Sequence, residues 1–212
     1  GYMLKPNDFV PSHKYPVIMY QYSGPQSQLV CNKWNMEWLN YVATRGYIVM
    51  CVDGRGTGGR GKDFAALVYK QLGYYETIDQ LAAARYAASL PYVDADRIGI
   101  FGWSYGGYMT IMAMTEKGNP YKAGVAVAPV TDWRMYDCIY TERFMLSPQQ
   151  NAIGYDSAST LNRVKNLSGN LLIVSGTADD NVHINNTYEF VSHATEEDVL
   201  VDMMIYPNKD HH

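Results

Sequence analysis

The sequence predicts an α/β fold, a mainly parallel sheet with helices on both of its faces. Apolar runs of strand length alternate with longer stretches of helical spacing along the chain. The runs are rich in Val and Ile and mostly unalternated, the pattern of parallel strands buried on both faces. The 212 residues are 47% hydrophobic and 18% charged, a balance that packs a sizeable core in one large domain.

Strands are expected at residues 16–22 (PVIMYQY), 46–53 (GYIVMCVD), 97–102 (RIGIFG), 123–128 (AGVAVA), 170–175 (NLLIVS) and 199–205 (VLVDMMI). Helices are expected at 75–89, 105–117 and 184–195. The first of these places Ile78, Leu81, Ala82, Arg85 and Tyr86 at helical spacing, with Pro91 just beyond its end. Strand and helix in repeated alternation argue for crossover connections and a parallel sheet. Residues 53–62 (DGRGTGGRGK) read as a short Gly-rich turn. There is no internal repeat, low-complexity tract or linker.

Charge and cysteine content remove several classes of function. The formal net charge is −4, from 17 basic and 21 acidic residues, so no basic footprint for nucleic acid or an anionic membrane is present. No segment approaches the apolar length that spans a bilayer, and the first residues show no charged head followed by an apolar run, so no signal peptide is expected within them. Cys31, Cys51 and Cys138 form no C-x-x-C pair, and no metal or organic cofactor is implied. Each cysteine reads as a small buried apolar residue; one disulfide stays open. The chain begins Gly-Tyr and stops at Asp210-His211-His212 without a closing element. It is therefore expected to be a piece of something longer, truncated at the C-terminal end of the fold.

The chemical signal is Gly102-Trp103-Ser104-Tyr105-Gly106, a G-x-S-x-G with a strand running in and a helix running out. That context is the nucleophile elbow of the α/β-hydrolase fold, where glycine on both sides leaves room for a strained serine. A serine hydroxyl needs a base and an orienting acid, and in this fold they follow in the order acid, then histidine. Asp179 is the first carboxylate after the 170–175 strand, with Asp180 expected to cap the helix behind it. His211 and His212 are the only later histidines in a loop past a strand; such a terminal pair also fits the start of a purification tag. His13, His183 and His193 read as surface or capping residues.

GWSYGGYMT around Ser104 and GTADDNVH around Asp179 resemble the catalytic domain of the prolyl oligopeptidase family. VDGRGTGGRG (52–61), VAPVTDW (127–133) and YTERFM (140–145) narrow the resemblance to its dipeptidyl peptidase IV branch. The resemblance implies Ser104 as nucleophile, Asp179 as orienting acid and His211 as general base. It implies an oxyanion hole from the Tyr22 hydroxyl and the Tyr105 amide. It implies a proline pocket walled by Tyr105, Val130, Trp133, Tyr140, Phe144 and Val182, with Asn181 on a substrate carbonyl. Phe144 departs from the branch, which has Tyr there. The implied activity is a serine exopeptidase that releases X-Pro, and less well X-Ala, dipeptides through an acyl-enzyme. An esterase or acylaminoacyl-peptidase, or a non-catalytic hydrolase-like binding module, are the other readings. The implied partner is a peptide, with a possible homodimer and an exported or membrane-anchored setting. The branch also carries a β-propeller, a final strand and a helix after the histidine, none of them in these residues. The chain alone is accordingly expected to be nearly inactive, with the His211 loop poorly held.

Overall fold

The computed structural model describes residues 1–34 and 37–212. Seven strands form one sheet: β1 (Tyr2–Leu4), β2 (Tyr15–Tyr20), β3 (Ile48–Cys51), β4 (Val93–Trp103), β5 (Ala123–Val127), β6 (Asn170–Gly176) and β7 (Asp202–Tyr206). Their order is β1-β3-β2-β4-β5-β6-β7. Only the edge strand β1 runs antiparallel, against β3; the other neighbours are parallel. Parallel neighbours require crossovers, supplied by α1 (Glu37–Thr44), α2 (Lys62–Ala66), α3 (Tyr74–Ser89), α4 (Tyr105–Met114), α5 (Cys138–Met145), α6 (Ala152–Ala158) and α7 (Asn185–Glu196). This is the α/β-hydrolase arrangement that the sequence pattern leads one to expect.

The two faces of the sheet are unequally covered. On one, Val17, Met19, Ile48, Ile98, Ile100, Ala126 and Ile173 pack against Leu81 and Ala84 of α3, Ile111 and Met114 of α4, and Phe190 of α7. All ten residues of α4 are buried, so it reads as apolar on every side. On the other, Leu39 and Ala43 of α1 cover Leu4 and Val49. Further along that face Ile18, Phe101, Val125 and Leu172 are only half-buried. The expectation of strands buried on both faces is thus corrected. Both sets of alternating residues are apolar, so the sequence does not show which set is covered.

Helix α3 corrects a second expectation. Ile78, Ala82, Arg85 and Tyr86 are exposed, and of that set only Leu81 is buried. The buried face is Glu76, Thr77, Gln80, Leu81, Ala83, Ala84 and Ala87. An apolar periodicity cannot find a face that buries a carboxyl and an amide. The cysteines are a third correction: Cys51 on β3 is buried, whereas Cys31 and Cys138 are exposed, and all three are free. Cys138 opens α5 just after Asp137, whose carboxylate caps the Tyr140 amide at 2.7 Å.

Candidate active site

Ser104 lies between the last residue of β4 and the first of α4, with φ 57° and ψ −117°. This is a sharp turn in a region that L-residues rarely enter. Both flanking glycines are obligatory here. A Cβ on Gly102 would lie 2.2 Å from the Gly106 carbonyl oxygen, and one on Gly106 would lie 2.6 Å from that of Gln21. Among the described residues the half-buried Ser104 hydroxyl takes no hydrogen bond, so its contact with a base is not closed.

The other two groups reach the same sheet edge through main-chain links. Trp103, Val127, Val174 and Met204 stand level in register. Beyond them the Ser104 amide donates to the Val127 carbonyl at 2.8 Å, and Ala128 to Val174 at 2.7 Å. Thr177 donates to Tyr206 at 3.1 Å, and Ala178 to Lys209 at 2.9 Å. Asp179 and His211 then meet, with Oδ2 2.8 Å from Nδ1. Both side chains are buried. A carboxylate at Nδ1 demands a proton there, which leaves Nε2 with its lone pair free. The Trp103 indole also donates to the His211 carbonyl at 2.9 Å. The ring and the backbone of His211 thus each have an anchor. Asp180 is corrected too. It is exposed, and the residue before α7, Ile184, makes no side-chain cap. The turn amides of Asn181 and Val182 instead donate to Asp179 Oδ1, at 3.0 and 2.8 Å. His183 behaves as a capping residue, its Nδ1 accepting from the Asn185 amide at 3.3 Å.

Tyr22 follows β2 and is bracketed by a buried polar network. Gln21 Nε2 donates to the Gly106 carbonyl at 2.7 Å, and Gln21 Oε1 accepts from Ser23 at 3.1 Å. Gln80 Nε2 donates to Ser23 Oγ at 3.0 Å and to the Val52 carbonyl at 2.9 Å. The Tyr22 ring lies 6.0 Å from that of Tyr105. Burial raises the Tyr22 phenol above its ordinary pKa, so it stays protonated and available as a donor. Tyr105 is the first residue of α4, where an amide has no intrahelical acceptor.

Tyr105, Val130, Trp133 and Val182 pack in one buried cluster, with Tyr22, Tyr136, Tyr140 and Phe144 against it. The Tyr105 and Trp133 rings are 5.3 Å apart, Trp133 and Tyr140 are stacked at 6.0 Å, and Tyr140 and Phe144 lie at 5.0 Å. Asn181 is exposed at the rim, and its Oδ1 accepts from the Tyr136 hydroxyl at 2.7 Å. Sequence reasoning passed over Tyr136, although the recurrence of aromatics at 133, 136, 140 and 144 marks one surface. It also passed over Glu76, which accepts from the Tyr105 hydroxyl at 2.7 Å. A cavity of about 870 Å³ lies elsewhere, lined by residues that include Lys70, Tyr74, Arg85 and Met112. No described helix is long and apolar enough to cross a membrane.

Residues 32–212 match the model of the prolyl oligopeptidase family. A protein of Pyrenophora teres f. teres described as "Probable dipeptidyl-aminopeptidase B" is 50% identical over 98% of this chain and 23% of its own length. One from Paracoccidioides brasiliensis under the same description is 47% identical over the same shares. The solved structure of dipeptidyl peptidase 4 from Porphyromonas gingivalis superimposes with a TM-score of 0.96 at 54% identity, over 99% of this chain and 30% of that one. The chain spans about a quarter of the length of the curated relatives it matches. The match takes in the elbow, both later loops and the sheet between them, and on that ground the chain belongs to the prolyl oligopeptidase family.

Proposed function

We propose that this chain carries the catalytic machinery of a serine exopeptidase that removes X-Pro, and less well X-Ala, dipeptides from peptide N-termini. The observation that carries the reading is the Asp179–His211 hydrogen bond at 2.8 Å, on the sheet edge that also holds the Ser104 elbow. Ser104 Oγ attacks the carbonyl carbon of the second residue while His211 Nε2 takes its proton. The oxyanion receives the Tyr22 hydroxyl and the Tyr105 amide. The intermediate collapses, and the leaving amine takes the proton back from His211. Water then adds to the Ser104 ester and gives a proton to His211; the second intermediate collapses, the bond to Ser104 Oγ breaks, Oγ takes that proton back, and the dipeptide leaves. Asp179 remains a carboxylate and holds the tautomer. The slot of Tyr105, Val130, Trp133, Tyr136, Tyr140, Phe144 and Val182 suits a pyrrolidine ring, which has flat apolar faces and no donor. Asn181 offers its amide to a substrate carbonyl. The names of the relatives support the dipeptidyl part of the reading.

The test uses the complete gene product. Gly-Pro-p-nitroanilide is expected to be cleaved and its N-acetylated form spared. A fluorophosphonate is expected to label the native protein and not Ser104→Ala. Cleavage of the blocked substrate at a similar rate would overturn the exopeptidase reading. Undiminished activity in Ser104→Ala would overturn the mechanism.

A further inference from the structure

The mechanism above makes no use of Glu76, yet its carboxyl is among the most deeply buried polar groups in the protein, 1% exposed in the first turn of α3. Oε1 accepts from the Tyr105 hydroxyl at 2.7 Å. Oε2 is buried without a hydrogen-bond partner at normal geometry. A carboxyl in such a place is costly unless a cation or several donors meet it. Here its side-chain partner is one neutral phenol. Further along the same buried face of α3 stand Leu81, Ala83, Ala84 and Ala87, so packing alone would be served by an apolar residue. Buried groups of this kind concentrate at functional sites.

Tyr105 is held at both ends. Its backbone is fixed by the elbow beside Ser104, and its phenol is fixed by Glu76. Between them the ring faces Trp133, Tyr108 and Tyr22 at 5.3, 5.4 and 6.0 Å. We infer that Glu76 is a specificity-positioning residue: by accepting the Tyr105 hydrogen it fixes the ring that closes the slot next to Ser104, and so sets the preference for proline over alanine at the residue that forms the acyl-enzyme. The inference rests on the function proposed above. A pyrrolidine touches the whole wall, whereas a methyl group touches little of it. A misplaced wall therefore penalises proline and leaves alanine nearly unaffected.

The bond is also open to control by pH. Burial pushes the Glu76 carboxyl up to about 7, against the Tyr105 hydroxyl and the amides of Gly73 and Glu76 itself, which favour the charged form. The titratable and charged groups around it are Tyr105 and Tyr108 of α4, Tyr140 of α5, Asp79 one turn further along α3, and Arg55 after β3, which is ion-paired to Asp79 at 2.6 Å. The three phenols are all raised by burial and stay neutral near pH 7. As pH rises through 7 the acceptor becomes a carboxylate, and the hydrogen bond becomes charge-assisted and stronger.

The test compares kcat/KM for Gly-Pro- and Gly-Ala-p-nitroanilide on the complete gene product from pH 6 to 8. A change in the reactivity of Ser104 or its base acts on both substrates alike and cancels in the ratio. The native Pro/Ala ratio is expected to rise with pH. Glu76→Gln keeps an acceptor and is expected to hold a native-like ratio that no longer varies with pH. Glu76→Ala and Tyr105→Phe each remove the bond and are expected to lower the ratio about tenfold, the scale of one misfitted apolar contact, chiefly through KM for the proline substrate. The double variant is expected to be no worse than either, since one interaction is removed twice. An unchanged ratio in Glu76→Ala would overturn the inference. If that variant does not fold, an unchanged ratio in Tyr105→Phe would do so, as would a pH-dependent ratio in Glu76→Gln. If fluorophosphonate labels Ser104 and Ser104→Ala is inactive while the ratios stay flat, only this inference falls. If neither anilide is turned over, the proposed function falls and takes it along.

Discussion

Asp179 divides its two oxygens between two tasks: Oδ2 meets His211 and Oδ1 takes the amides of Asn181 and Val182. In Asp179→Asn the oxygen can stay on the turn while the NH₂ faces Nδ1, which forces the proton onto Nε2. The expected result is a fall in kcat of about 10⁴ with little change in melting temperature; a small fall would remove Asp179 from its role. Glu76 gives the opposite kind of prediction. Its folded pKa is raised from 4.5 to about 7, so between those values the folded state binds more protons than the unfolded one. Stability must then fall as pH rises through that window. At about 1.4 kcal/mol per unit, the ionised group costs the fold about 3 kcal/mol at pH 8 and nothing below pH 4.5. Denaturant titration of Glu76→Gln should show a gain over the native protein at pH 8 that disappears at pH 4. The places of Ser104 and Asp179 at the sheet edge were legible because a local motif or a strand end marks each of them. Glu76 was not, since its partner is 29 residues away and its helix was read for apolar spacing only.

At the scale of elements, the elbow depends on one helix being able to approach one strand end. Gly106 is the point of contact, and its missing Cβ would collide with main chain rather than with a movable side chain. Gly106→Ala is expected to destabilise the protein by about 1–3 kcal/mol, the cost of overpacking, and to abolish fluorophosphonate labelling even where the fold survives. Retained labelling would show that the loop after β2 can move aside. The same loop explains α3. Gln80 reaches Ser23 and Val52 from the helix face that also carries Glu76, so a polar seam runs where an apolar stripe was expected. The existence of α3 and α4 was readable from spacing and from Pro91. The side that α3 turns inward was not, because the groups it satisfies belong to the loop after β2, the residue after β3 and α4.

For the whole molecule, alternation of runs and helical stretches was enough to give a parallel sheet, since parallel neighbours need crossovers. The strand order was not readable, and the antiparallel β1 was missed because three residues carry too little pattern. Coverage was misjudged for a physical reason: an apolar residue in a strand does not record whether anything lies on top of it. Ile18, Phe101, Val125 and Leu172 stay half-buried, and Trp38 and Trp103 are exposed. A contiguous apolar surface of this kind binds hydrophobic dyes. The folded 212-residue chain is expected to enhance the fluorescence of anilinonaphthalene sulfonate, and Phe101→Ser to reduce it; no enhancement would mean that this face closes in solution.

Ser104, Asp179 and His211, the three groups proposed to react, are separated by 75 and 32 residues in the chain, yet their alignment is carried by amides and carbonyls rather than by side chains. Such a frame is indifferent to most changes of sequence. At Ala178, whose side chain points to solvent and whose amide donates to Lys209, nearly any residue supplies the same N–H. Proline supplies none. A saturation scan should therefore find a position on the edge of the site that accepts acid, base, aromatic and aliphatic alike and refuses a single amino acid.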